Sequence, residues 1–121
     1  MHISSFPFQL QLKNPFGISR STRTTSEIVL VEIDGGWGEA CPVKFYNEDT
    51  ATVLEALGRI SALEVGDLDY IEDVMDIIEA AVPGNQSAKA AVDMALHDRL
   101  GKKLGAPLYK VFGRSPARQM I

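Results

Sequence analysis

Cysteine is almost missing from this chain. Cys41 stands alone among 121 residues, so no internal disulfide can form, which fits a reducing compartment. With one Cys and two distant His residues, His2 and His97, no thiolate–imidazole metal cluster can be assembled. Charge of neither sign is concentrated. Lys and Arg number 12 against 16 Asp and Glu, for a net charge of -4, and the longest basic run is Lys102-Lys103. That excludes the electrostatic footprint of a nucleic-acid binder. No apolar stretch approaches the length of a membrane span. The start, Met1-His-Ile-Ser-Ser, has neither the basic nor the apolar region of a secretion signal. A cytoplasmic protein without membrane or nucleic-acid partners is expected. Internal repeats and low-complexity tracts are also absent. What remains is 45% hydrophobic and 23% charged, the composition of one soluble globular domain able to bury roughly 65% of its unfolded surface.

The first third reads as strands. Phe8, Leu10 and Leu12 alternate with Gln9, Gln11 and Lys13, a strand with one solvated face, and Pro7 removes an amide donor, placing the strand at an edge or a bulge. From Glu27 to Ile33 the residues are β-branched and alternating, with Ile28, Leu30 and Glu32 on one side and Val29, Val31 and Ile33 on the other. Asp34-Gly35-Gly36 is a tight turn onto Trp37 to Ala40. From Asn47 the period changes to that of helices. Thr50 caps one that presents Val53, Leu54, Leu57 and Ile60. Asp67 or Asp69 caps the next, with Ile71, Val74, Met75, Ile78 and Ala81, and Val82-Pro83-Gly84 ends it. Strands followed by helices predict an α+β domain: a three-stranded antiparallel sheet, then a bundle of three to four helices.

The richest stretch runs from Asn85 to Gly113. Ala88, Ala91, Val92, Ala95, Leu96 and Leu100 form an apolar stripe at spacings of three and four, and its small alanines invite close approach by another backbone. Asn85 or Ser87 caps the start, Lys102 and Lys103 favour the negative end of the dipole, and Gly105 suits the left-handed cap. Pro107 opens a short further helix. The order Ser-Ala-Lys-Ala-Ala-Val-Asp-Met-Ala-Leu-His-Asp, followed by Gly-Lys-Lys-Leu-Gly-Ala-Pro-Leu-Tyr, closely resembles the end of the N-terminal capping domain of the enolase superfamily, muconate-lactonizing (mandelate racemase-like) subgroup. Ile28-Val-Leu-Val-Glu-Ile33, the turn, and Trp37-Gly-Glu-Ala-Cys-Pro42 match its strand, turn and Trp-Gly-Glu-Ala segment. Asn14 to Glu27 is similar to its first specificity loop. The resemblance covers residues 1–113, and 114–121 reads as a linker into a (β/α)8 barrel that this sequence does not contain.

The resemblance implies a Mg²⁺-dependent isomerase that abstracts the proton α to a carboxylate and stabilises the enediolate on the metal. The metal ligands and lysine bases of such enzymes lie at barrel strand ends, and none of those motifs occurs here. No catalytic and no metal residue is therefore assigned to this chain, and Mg²⁺ is expected in the barrel. What the resemblance leaves to a cap is the lid: two segments, 15–25 and 42–49, that close over the barrel mouth and read the distal part of a small carboxylate substrate. Phe16 and Tyr46 stand where apolar contact is made. Arg20 and Arg23, in a hydroxyl-rich segment, suit bidentate recognition of a carboxylate or are solvated loop charges. An ungapped match puts Ser21 where glutamate-accepting epimerases carry an arginine, with Arg20 adjacent. Lys44 could meet an anion or be solvated surface. The acidic pairs Glu48-Asp49 and Glu72-Asp73 are read as solvated structure, His97 as a packed, satisfied histidine, Glu39 as structural in its turn, and Asp98 as a partner of Lys102. The lid segments look most like those of dipeptide epimerases. A muconate cycloisomerase or o-succinylbenzoate synthase cap, or a non-enzymatic α+β interaction module, are the alternatives, and assembly into a homo-oligomer stays open.

Overall fold

The computed structural model describes residues 1–18, 21–115 and 117, with backbone alone for Phe16, Ile18 and Ser21. Three strands form one antiparallel sheet in the order β1-β2-β3, with β1 Ser4–Ile18, β2 Ser21–Ile33 and β3 Gly36–Ala40. Four helices follow: α1 Thr50–Ser61, α2 Ile71–Ala81, α3 Gln86–Leu104 and the single turn α4 Leu108–Val111. A 3-10 helix, Lys44–Tyr46, lies between β3 and α1. The architecture is the expected α+β sheet followed by helices.

The strands are longer than their hydrophobic alternation predicted. Residues 15–25 were expected as a loop, yet β1 runs to Ile18 and β2 starts at Ser21. Phe16 pairs with Arg23, Gly17 with Thr22 and Ile18 with Ser21. The hydroxyl-rich stretch includes Thr22, Thr24 and Thr25, β-branched residues that fit an extended backbone as well as a loop. The register slips between Gln11 and Phe16, so the irregularity lies there and not at Pro7. Pro7 pairs with Val29 on the edge strand, where a missing donor is tolerated.

One face of the sheet carries the core. Val29, Val31 and Ile33 are buried under the helices with Val53, Leu57, Ile60, Val74, Ile78, Val92 and Leu96. The other face is open, and it holds the apolar side of β1. Cross-strand partners Phe6 with Leu30 and Phe8 with Ile28 lie there, and Phe6 and Phe8 are 42% and 50% exposed. The face of β1 expected to be solvated was the polar one; the aromatic one is solvated as well. Within the helices Ala56 replaces Leu54 in the core of α1, Leu54 being 36% exposed, and Ala81 of α2 is exposed. Lys89 was not anticipated: it is buried, 2.9 Å from Glu79 Oε2 of α2.

Three helix starts differ from their sequence signals. Asp49, not Thr50, caps α1, in a reciprocal box with Thr52. α2 starts after Tyr70 with no side-chain cap, because Asp67 is engaged in its own turn with the Asp69 amide and Asp69 faces Arg99 and Lys103. At α3, Asn85 is left-handed and donates to the Pro83 carbonyl, while Ser87 donates to Glu48. At the other end of α3 Gly105 does take the left-handed cap, its amide donating to the Gly101 and Lys102 carbonyls.

The alanine stripe explains how α3 reaches the sheet. Gly36 and Gly38 of β3 sit directly on it: a Cβ at Gly36 would overlap the Ala95 carbonyl oxygen and come within 2.6 Å of the Arg99 amide nitrogen, and one at Gly38 would overlap the Ala91 carbonyl oxygen. In the turn, Asp34 (φ 48°) and Gly35 (φ 85°) take the positive dihedrals, the pair that matches strand twist in a two-residue hairpin. Gly36 is thus set by packing, not by the turn.

Candidate functional site: two lid segments at one end of the sheet

The end of β1 and the start of β2 pair from Phe16 with Arg23 to Ile18 with Ser21. By strand alternation, Arg23, Thr25 and Glu27 share the face of β2 that buries Val29, Val31 and Ile33. Phe16 and Arg23 are partners in the backbone register of β1 and β2. Arg23 is half-buried. Arg20 lies outside the described residues, and Ser21 is placed by its backbone opposite Ile18.

The second segment, 42–49, leaves β3 after Ala40 and returns at α1. Its centre is the 3-10 helix Lys44–Tyr46, closed by the Tyr46 amide donating to the Val43 carbonyl and the Asn47 amide to that of Lys44, both at 2.9 Å. Asn47 is left-handed, φ 57°, one of the residue types that tolerates this region. Tyr46 is 69% exposed and Phe45 59%, with ring centroids 5.1 Å apart in a T-shaped arrangement. Lys44 is exposed beside them. The sequence singled out Tyr46 and passed over Phe45, although the adjacent aromatic was in plain view. Side chains tie the base of this segment to β2: Thr50 donates to Glu27 at 3.3 Å, and Ser26 Oγ lies 3.7 Å from Cys41 Sγ. The two lids therefore rest on one strand.

Polar side chains outside the lids are occupied by structure. His97 Nδ1 meets the Asp93 carbonyl at 2.9 Å and its ring stacks 5.4 Å from Phe112. Asp98 binds Lys102 at 2.7 Å and accepts the Trp37 amide at 2.8 Å, and these two donors hold its carboxyl below the usual range. Glu39 is exposed in the middle of β3 and not in a turn. Within segment 42–49, Asp49 caps α1 and Glu48 accepts from Ser87 of α3. Among the described residues no three His, Cys, Asp or Glu side chains converge as metal ligands do, and no helix is long and apolar enough to cross a membrane.

An open apolar groove of about 530 Å³, lined by Trp37, Met94, His97, Leu108 and Phe112 among others, lies elsewhere. Trp37 pairs with Glu32 at the turn end of β2, and the strand from there to Arg23 spans roughly 30 Å at about 3.3 Å per residue. The groove and the lids are separate regions.

The family model described as "Mandelate racemase / muconate lactonizing enzyme, N-terminal domain" matches residues 2–113. An L-Ala-D/L-Glu epimerase of Bacteroides thetaiotaomicron is 37% identical over 93% of this chain and 30% of its own length. An o-succinylbenzoate synthase of Geobacillus kaustophilus is 36% identical over 87% of this chain and 30% of its own. The solved dipeptide epimerase of Enterococcus faecalis V583, complexed with Mg and the dipeptide L-Leu-L-Tyr, superposes with a TM-score of 0.84 at 28% identity, over 92% of this chain and 33% of that one. The chain spans about a third of the length of these relatives.

Proposed function

The chain belongs to the N-terminal domain family of mandelate racemase and muconate lactonizing enzymes, and from that premise we propose that it is the substrate-reading cap of a dipeptide epimerase. The observation that carries this reading is the pairing, on one strand, of a hairpin with Phe16 and Arg23 and a turn with Phe45 and Tyr46. Exposed aromatic side chains in one segment and an arginine in the other suit a small peptide carboxylate. The epimerase relative and the dipeptide-bound neighbour support that substrate class.

In this reading a (β/α)8 barrel following residue 113 completes the enzyme and is the cap's partner. Mg²⁺, when bound there, supplies the charge that makes an α-proton removable next to a carboxylate. The described residues of this chain do not fit that metal, since no three-ligand set exists among them. The cap's residues orient the distal part of the dipeptide and exclude water. Purified alone, the 121-residue chain should epimerise no dipeptide at any Mg²⁺ concentration; turnover above a buffer control would overturn the division of labour. In the complete enzyme, Arg20→Met or Arg23→Met should cost about 1.5–3 kcal/mol with acidic dipeptides, a ten- to hundredfold loss in kcat/KM, and spare neutral ones. Equal effects on both substrate types would remove the arginines from the site. The o-succinylbenzoate synthase relative favours one second reading, and assaying the complete enzyme with that synthase's precursor alongside a dipeptide library decides between them.

A further inference from the structure

Of the apolar residues in segment 42–49, only Pro42 at its start is buried. Its 3-10 helix buries none of its residues, and Val43, Phe45 and Tyr46 are 39%, 59% and 69% exposed. The hydrophobic effect that fixes the helices is therefore not what fixes this turn. Three backbone hydrogen bonds close it on itself, from the Tyr46, Asn47 and Glu48 amides, but closure alone does not attach it to the domain. Side chains at its base also attach it. Thr50 to Glu27 is exposed and 3.3 Å long, and Ser26 to Cys41 involves sulfur at 3.7 Å; both are weak. A further tie is of another kind. Ser87, in the first turn of α3, donates its hydroxyl to the Glu48 carboxylate across 39 positions of sequence, in a half-buried setting. Hydrogen bonds to an ionised acceptor are about twice as strong as neutral ones.

We propose that Glu48, held by Ser87, is a positioning residue that fixes segment 42–49 as a preformed surface, so that Phe45 and Tyr46 meet the substrate already in place. Preorganisation contributes to binding by removing the ordering cost. It acts on substrate affinity, not on proton transfer. What the surface reads rests on the function proposed above; that the segment is pinned does not.

Hydrogen exchange on the 121-residue chain tests the pin directly. Ser87→Ala and Glu48→Ala should each raise exchange at the Tyr46 and Asn47 amides about tenfold, with no further increase in the double variant, while the Val31 and Leu96 amides keep their protection. Glu48→Gln, whose amide oxygen still accepts the hydroxyl, should retain most of the protection. Unchanged exchange at Tyr46 and Asn47 in both Ala variants would overturn the proposal. So would a loss shared equally with the core amides, which would mean general destabilisation. In the complete enzyme the same Ala variants should raise KM about tenfold with kcat nearly constant, and a fall in kcat at unchanged KM would refute the positioning role. An enzyme inactive on every dipeptide would sink the epimerase reading and leave the exchange result standing.

Discussion

At the turn end of β2, backbone meets backbone: Gly36 and Gly38 lie on α3 with no room for a Cβ, and charged side chains bind the helix over the turn. Arg99 reaches Asp34 at 3.0 Å and Asp69 at 2.7 Å, Lys103 pairs with Asp69, and Lys102 donates to the Gly35 carbonyl at 2.8 Å. At the hairpin end the same strand carries Arg23 and the ties to segment 42–49 through exposed hydroxyl, thiol and carboxylate groups. One strand is thus anchored at one end and offers its side chains at the other. Glycines and alanines accumulate where β3 lies against α3, and the proposed substrate-reading side chains lie at the other end.

The largest test of that contrast is Gly38→Ala. A methyl group there must displace the carbonyl of Ala91, which is helix backbone and not a flexible side chain, so a loss on the order of 3 kcal/mol is expected. Denaturant melts of the chain would show it as a lowered midpoint at similar slope. Gly58, in the exposed part of α1, has open space at its Cβ position, and Gly58→Ala should stabilise by up to about 1 kcal/mol through helix propensity. Equal behaviour of the two substitutions would mean that the close approach of β3 to α3 is not what holds the sheet.

The helices of this contrast were legible because a stripe such as Ala88, Ala91, Val92, Ala95 and Leu96 has one physical reading. The same stripe predicted a close backbone neighbour, and β3 is that neighbour. The strand ends were not legible. Thr22 to Thr25 satisfies both loop and strand preferences, and only pairing with β1 decides between them. Nor does alternation say which face of β1 the helices cover, since Phe6, Phe8 and Leu10 would suit a core and are instead exposed. Caps failed for a related reason: Asp67, Asp69 and Ser87 have the chemistry to cap, but each is claimed by a partner distant in sequence or in its own turn. The contact between Ser87 and Glu48, 39 positions apart, was legible only in the fold.

A smaller effect concerns Lys89, the buried cation between α2 and α3. Lys89 holds the Glu79 carboxyl below the usual range. Removing one partner of such a pair leaves a buried charge uncompensated, whereas replacing the cation by an apolar chain of similar volume does not. Glu79→Ala should therefore lower the melting temperature more than Glu72→Ala, which removes an exposed carboxylate from the same helix. Lys89→Met should abolish the difference. If Glu79→Ala and Glu72→Ala melt together, the ion pair adds nothing to the packing of α2 on α3.

The smallest expected effect is a dependence on acid. Lys103 foremost, and then Arg99, hold the Asp69 carboxyl below its ordinary value, and Lys102 and the Trp37 amide do the same for Asp98. A carboxylate whose pKa is depressed on folding binds fewer protons in the native state than in the unfolded one. Its contribution to stability is full above the unfolded value, roughly 3.9 for Asp, and fades as pH falls through the lower, folded value. Stability should therefore be flat from pH 7 down to about 4.5 and then decline. Asp69 is partly solvated, so the decline it causes is modest and shrinks with added salt. Asp69→Asn should make the profile shallower in that acid window and leave exchange at the Tyr46 and Asn47 amides of the lid unchanged, because the charge network lies at the turn end of β2. An acid profile that steepens in Asp69→Asn, or a lid that loosens with it, would mean the two ends of the strand are coupled and not independent.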